Sequence, residues 1–452
     1  MRWKHILLTG MLLLCGCRKM LDVGTPIDRT TTNAAFDTDV SAAAVLTGLY
    51  FTMSTSGAFM GNTGMSYLCA LSADEFLLQQ EDPLSLSLYQ NDIRTTHVPF
   101  WRVLFQCIYV ANAAVEGLSA TTRLTPAIQR QLLGEARFMR AFCYFYLVNL
   151  FGEVPLVTTT DYKVNAGMRR TPVTRIYAQI IADLKEARQL LAATYFKGDI
   201  LSESQERVRP NKWAATTLLA RVYLYQENWA EALEAATAVL DNRDSYNMVS
   251  LPQVFLKDSK ECIWQLQPAN ETFTDDGALF IDQRPVQISA SLLHAFAYND
   301  QRKRYWLKGS TSPYPAKYLA ADLSATAKEY LVVLRLAEVY LIRAEARAHT
   351  GDISGARADL NVIRHRAGLP VTDAGDTDML TTLILQERRI ELFAEWGHRW
   401  MDLKRTRTIQ QVMPAAARAK AANWQSYDAL YPIPVSERLL NKNLSQNEGY
   451  PD

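Results

Sequence analysis

The sequence predicts a mostly α-helical protein built as a tetratricopeptide-like repeat array with a loop-rich insertion. Three observations predict it. First, Tyr330 to Ala348 carries small or apolar residues at Val333, Ala337, Tyr340, Leu341, Ala344 and Ala348, one face of a helix. Gly351 ends that helix. Asp352 caps a second one striped by Ile353, Ala356, Leu360, Ile363 and Ala367, and Gly368 and Pro370 end it. Second, the arrangement recurs: Leu218 to Tyr223 is followed by Asn228-Trp229-Ala230-Glu231-Ala232-Leu233, and Ala220 to Ala232 has the separation of Ala344 to Ala356. One helix pair cannot bury its own apolar face, so two recognisable copies imply further degenerate ones. Third, periodicity is lost over about 243–327, where aromatics are interleaved with Asp, Arg, Gly and Pro.

The 452 residues are 48% apolar with only 20 glycines, which is the composition of a folded chain with a sizeable core. Lys and Arg (48) match Asp and Glu (47), so neither a basic nucleic-acid tract nor an acidic tail is present. Six histidines make a histidine-based metal site improbable, and no metal or cofactor is expected.

The chain opens on an address. Arg2 and Lys4 precede an apolar run, Ile6 to Leu14, too short to span a bilayer. Leu14-Cys15-Gly16-Cys17 resembles the bacterial lipobox, so residues 1–16 read as a lipoprotein signal peptide and Cys17 as the lipidated residue. Residues 17–33 form an aperiodic tether. No later segment reads as transmembrane, so membrane anchoring rests on lipid alone. Cys69, Cys107, Cys143 and Cys262 lack CxxC spacing and are expected as buried free thiols.

Residues 34–452 then read as one domain, with helix pairs within 34–242 and 328–405, the insertion at about 243–327, and C-terminal loops over 406–452. Helices are expected at 34–53, 100–118, 126–150, 174–194 and 211–226. Pro210 is placed near the first turn of the last of these. Residues 54–98 are expected to be irregular, and Ile263 to Gln267 strand-like. A loop of that length inside a compact protein is usually functional.

Asp378 to Glu395 is predicted as a helix with Glu387, Glu391 and Glu395 in an i,i+4 ladder. Paired carboxylates raise a glycosidase reading. Arg388, Arg389 and Arg399 stand close by, so structural ion pairs are the preferred assignment, as for Glu338, Glu345, Arg343 and Arg347. Nucleophile elbows, phosphate loops and H-E-x-x-H are absent from the sequence, so an enzyme is not expected. Sugars present flat apolar ring faces edged with hydroxyls and need exposed aromatic platforms beside polar groups. The segments 54–98 and 268–320 supply both, whereas Trp101, Trp213 and Trp264 are assigned to packing. The expected ligand site is a shallow one formed by Tyr89, Phe273, Trp306 and Tyr314, with Asp74 and Arg302 as polar partners.

Several motifs together resemble the SusD/RagB lipoproteins. They are Cys17-Arg18-Lys19-Met20-Leu21-Asp22, Gly134 to Ala141, Leu150-Phe151-Gly152-Glu153-Val154-Pro155-Leu156, and Arg343-Ala344-Glu345-Ala346 with Leu360 to Arg364. Glu387 to Leu392, Gly397 to Arg405, Tyr431-Pro432-Ile433-Pro434 and Gln446 to Tyr450 complete the set, with Glu448 where a proline is usual. The resemblance implies four helix pairs, a surface-exposed outer-membrane lipoprotein, and capture of oligosaccharides for a SusC-like TonB-dependent transporter without catalysis. A peptide-capturing relative, a protein-interaction scaffold and a helical glycosidase are the alternatives.

Overall fold

A computed structural model describes residues 34–269, 273–318 and 328–451. Cys17, the signal peptide and the tether lie outside the described residues. Eight helices stack in one continuous run, each packed on the next, and taken two by two they make four pairs. They are α1 (Asp39–Thr55), α2 (Trp101–Ala120), α3 (Pro126–Phe151), α4 (Val173–Leu190), α5 (Lys212–Tyr225), α6 (Trp229–Leu240), α7 (Leu336–His349) and α8 (Ile353–Arg366). Two further helices, α9 (Thr377–Glu391) and α10 (His398–Arg405), close the array. α2 is long and apolar enough to cross a membrane by length and composition, unlike the sequence expectation. Its buried apolar residues, such as Leu104, Ile108 and Ala111, pack between α1 and α3, while Tyr109 stays exposed.

The two copies that announced the fold are built alike. Gly351, at φ +88°, turns the chain after α7, and the Asp352 carboxylate accepts from the Gly355 amide at 2.9 Å to cap α8. Asn228 stands in the corresponding position before α6 but makes no side-chain cap bond. Small residues line the shared interfaces: Ala220, Ala232, Ala337, Ala344 and Ala356 are all fully buried.

Three expectations change. The segment Leu331–Arg335 is a fully buried strand rather than the first turn of α7, paired antiparallel with Cys262–Leu266. A short run of buried apolar residues carries no period that separates strand from helix. Residues 54–98 are not wholly irregular: they hold helices Met65–Ser72 and Pro83–Tyr89 and strand β1 (Phe76–Leu78). Pro210 stands directly before the N-cap Asn211, beside the first turn of α5 as expected. The tail beyond 406 contains a helix, Ile409–Ala419, and a shorter one, Val435–Leu440.

The glutamate ladder is also cut. α9 ends at Glu391, and positive φ at Ala394 (+55°), Trp396 (+46°) and Gly397 (+71°) turns the chain before α10. Glu395 therefore sits beyond the helix and folds back to Arg335. Cys69, Cys107, Cys143 and Cys262 are buried and free.

Candidate functional site

The two long irregular segments meet through a small sheet. β1 pairs antiparallel with β2 (Val286–Ile288) in the register Phe76↔Ile288, Leu77↔Gln287 and Leu78↔Val286. Ile288 donates its amide to the Pro313 carbonyl at 2.7 Å, which brings in the strand Tyr314–Pro315. Nearby, the Gly61 amide donates to Asp276 Oδ1 at 2.8 Å, and Ser289 Oγ donates to the Asp74 carbonyl at 2.6 Å. Residues some 215 positions apart are thus locked together.

Strand alternation decides what this junction presents. Val286 and Ile288 point into the core, so Gln287 between them turns outward. Its amide donates to Gln79 Oε1 at 3.1 Å, and Gln80 donates to the Gln283 carbonyl at 2.7 Å. Arg284, left-handed at φ +53°, lays its guanidinium over the Tyr314 ring at 4.9 Å from the centroid. A Cβ on Gly309 would meet the Tyr314 ring at 3.2 Å. The outcome is a planar cation on an aromatic ring beside a row of exposed amides. It is flat, polar and rich in donors and acceptors, without an ionisable nucleophile–base pair.

The sequence-chosen residues divide. Tyr314 is part of this face. Tyr89 is half-buried at the end of the helix that follows β1, with the Lys420 ammonium 5.0 Å from its ring centroid. Phe273 is half-buried at the edge of the described residues. The other three are interior. Trp306 is 1% exposed, donates its indole N–H to the Leu251 carbonyl at 3.2 Å, and has the Lys317 ammonium 4.7 Å from its ring centroid. It cannot serve as an exposed stacking platform. Arg302 is fully buried, paired with Asp300 at 2.7 Å, Glu387 at 2.6 Å and Glu391 at 3.0 Å. Asp74 is buried between Arg399 at 2.7 Å and Arg389 at 2.8 Å. Burial works against its charge, and the hydrogen bond and charge of Arg399 together with Arg389 overcome that and hold its carboxyl below the usual range.

Gln79, Gln80, Gln287 and Arg284 were not singled out from sequence. Isolated glutamines carry no periodic signal, and only pairing across the junction gives them one face. The run Gln79-Gln80-Glu81 directly after a short apolar strand was the available hint.

The carboxylates that suggested a glycosidase are occupied. Glu391 accepts from Arg335 at 2.6 Å and is bridged by Arg302 and Arg366. Glu395 accepts from Arg335 at 2.8 Å and pairs with Lys317. Burial opposes ionisation of Glu391, yet the Arg366, Arg335 and Arg302 charges hold its carboxyl far below the ordinary carboxylate range. Glu387 is different: burial pushes it up against the pull of Arg302. Glu338 pairs with Arg221 at 2.6 Å and Glu345 with Arg405 at 2.7 Å. Arg343 and Arg347 share Asp359, at 2.7 and 2.9 Å. Such groups are structural ion pairs, closed to substrate.

The α-helical array thus carries a polar face on the loops that join its parts, separate from the helix-packing scaffold. Two family models match it: "SusD family" over residues 270–450 and "Starch-binding associating with outer membrane" over residues 19–224. The chain belongs to the SusD/RagB family. Among its relatives, SusD-like protein P2 of Formosa agariphila is 24% identical, over 99% of this chain and 100% of the relative. Starch-binding protein SusD of Bacteroides thetaiotaomicron is 33% identical over 26% of this chain and 21% of its own length. Of solved structures, a SusD superfamily protein from Bacteroides vulgatus superposes with a TM-score of 0.79 at 21% identity, covering 91% of this chain and 99% of that one. A laminarin-binding SusD-like protein does so at a TM-score of 0.75 and 21% identity, over 90% and 99%. They share the fold.

Proposed function

We propose that this protein captures oligosaccharide nutrients at the outer membrane on the face formed by Gln79, Gln80, Gln287, Arg284 and Tyr314. The observation that carries the reading is the Arg284–Tyr314 stack beside the Gln79–Gln287 pair, on the sheet joining the two irregular segments. A flat cation-on-ring surface accepts the apolar face of a sugar, and amides on both sides meet its hydroxyls. The relatives named as starch-binding and laminarin-binding support carbohydrate as the ligand class. In the same reading, lipid on Cys17 anchors the chain at the cell surface, and ligand is handed to a SusC-like TonB-dependent transporter. The protein binds and does not cleave, in keeping with relatives that are binding proteins.

Calorimetric titration of the mature chain with starch- and laminarin-derived oligosaccharides tests it. Affinities on the order of micromolar to millimolar are expected. Arg284→Ala should weaken binding about tenfold, since a contact to a charged donor is typically worth about 1.5–3 kcal/mol. Unaltered affinity in folded Arg284→Ala and Tyr314→Ala would refute the placement. Binding of peptides in place of every glycan would favour the peptide-capturing alternative.

A further inference from the structure

A cavity of about 550 Å³ lies at the other end of the helix Pro83–Tyr89. Seven residues of helix separate it from Gln79 and Gln80, about 10 Å at 1.5 Å per residue. Its walls come from the Gln90–Thr95 turn and from two C-terminal stretches, 421–428 and 449–451. The sequence had assigned the latter to plain loops.

What lines it is unbalanced toward acceptors. Asp92 is exposed and makes no ion pair among the described residues. Asp428 is 4% exposed and caps the Gln425 amide through one oxygen at 2.7 Å. Asn91 is also 4% exposed; its amide donates to the Ser72 carbonyl at 3.0 Å, and its side-chain carbonyl oxygen has no partner. Burial and the Asp92 charge push the Asp428 carboxyl up to about 6. Arg94 stands exposed at the rim, and the Lys420 ammonium is spent on the Leu71 carbonyl at 2.6 Å.

The same cavity has an aromatic wall. Tyr427 and Tyr450 meet edge to face at 5.3 Å, and Tyr427 remains 37% exposed. A bare metal ion gains nothing from tyrosine rings, whereas an ammonium on a carbon frame gains from ring and carboxylate together. We propose that this cavity binds a protonated amino sugar, its ammonium between Asp92 and Asp428 and its ring against Tyr427. The neutral face at Gln79–Gln287 plays no part in the ammonium contact, and the assignment stands independently of the reading given to that face.

Calorimetry on the mature chain at pH 6.5, where the sugar amines are largely protonated, tests it with three probes: the β-1,4 dimer of glucosamine, the same dimer N-acetylated, and lysine methylamide. Binding of the glucosamine dimer is expected, at least tenfold tighter than either of the others. Asp92→Asn, at an exposed side chain without a partner, should weaken it about tenfold with an unchanged melting temperature. Arg284→Ala should leave it intact while weakening binding of neutral glucans about tenfold, which separates failure here from failure of the proposed capture face. Equal binding of both dimers, equal binding of lysine methylamide, no binding of the glucosamine dimer, or wild-type affinity in folded Asp92→Asn would each overturn the assignment.

Discussion

Glu391 is the position at which the ion network can be tested most sharply. It is the last residue of α9, where the helix dipole disfavours a carboxylate, and it is fully buried. Three guanidiniums hold it there, from Arg335 at 2.6 Å, Arg302 at 3.0 Å and Arg366. Glu391→Ala removes the charge on which Arg302, Arg335 and Arg366 converge. Asp300, Glu387, Glu261 and Glu395 remain to them, so the arginines lose balance rather than every partner. Breaking a buried pair by deleting one member costs about 3–5 kcal/mol. With an unfolding entropy of about 2.1 cal/mol/K per residue, a body of this size should melt roughly 4–6 °C lower. Glu391→Gln keeps the volume, so the loss shared by the two variants is electrostatic. Differential scanning calorimetry and urea unfolding on both, with exposed Glu231→Gln as control, make the measurement. A Glu391→Ala protein within 1 kcal/mol of wild type would refute the view that these carboxylates are structural. Cleavage of any glycan by wild type, lost in a normally stable variant, would refute it in favour of catalysis.

Glu75 gives a pH signature. Burial and the neighbouring Asp74 charge push its carboxyl up to about 8, so its contribution to stability is full below the ordinary carboxylate range and is lost as pH rises through 8. Glu75→Gln should accordingly gain stability over wild type progressively between pH 5 and 8.5, and a pH-independent difference in melting would contradict this. Trp306→Ala should cost about 3–5 kcal/mol from the cavity alone, with glycan affinity per folded molecule unchanged; a stable variant with lost binding would return Trp306 to the ligand site. Cys17→Ala should release the protein from outer membranes in cells lacking the transporter, read by fractionation, and persistent sedimentation would place the anchor elsewhere.

Periodicity and spacing made the scaffold legible. The alanine stripes of α5 to α8, the Gly351 turn and the Asp352 cap are local chemistry, written in residues a few positions apart, and the structure reproduces them. Charge adjacency on α9 likewise indicated ion pairs before any geometry was known. Burial at long range was not legible. Leu331–Arg335 reads equally as strand or helix until Cys262–Leu266 arrives beside it. Trp306, Asp74 and Arg302 lie in the same polar, aromatic-rich stretches as Tyr314, and nothing local tells an inward side chain from an outward one there. That distinction is made by partners far along the chain, such as Arg389 and Arg399, 315 and 325 positions from Asp74, and Glu391, 89 positions from Arg302. By itself the sequence determined the helical array, because helix periodicity and caps are properties of neighbours. Only the tertiary structure decided which loop residues share a surface, because Gln79, Gln287, Arg284 and Tyr314 become one face through the pairing of β1 with β2.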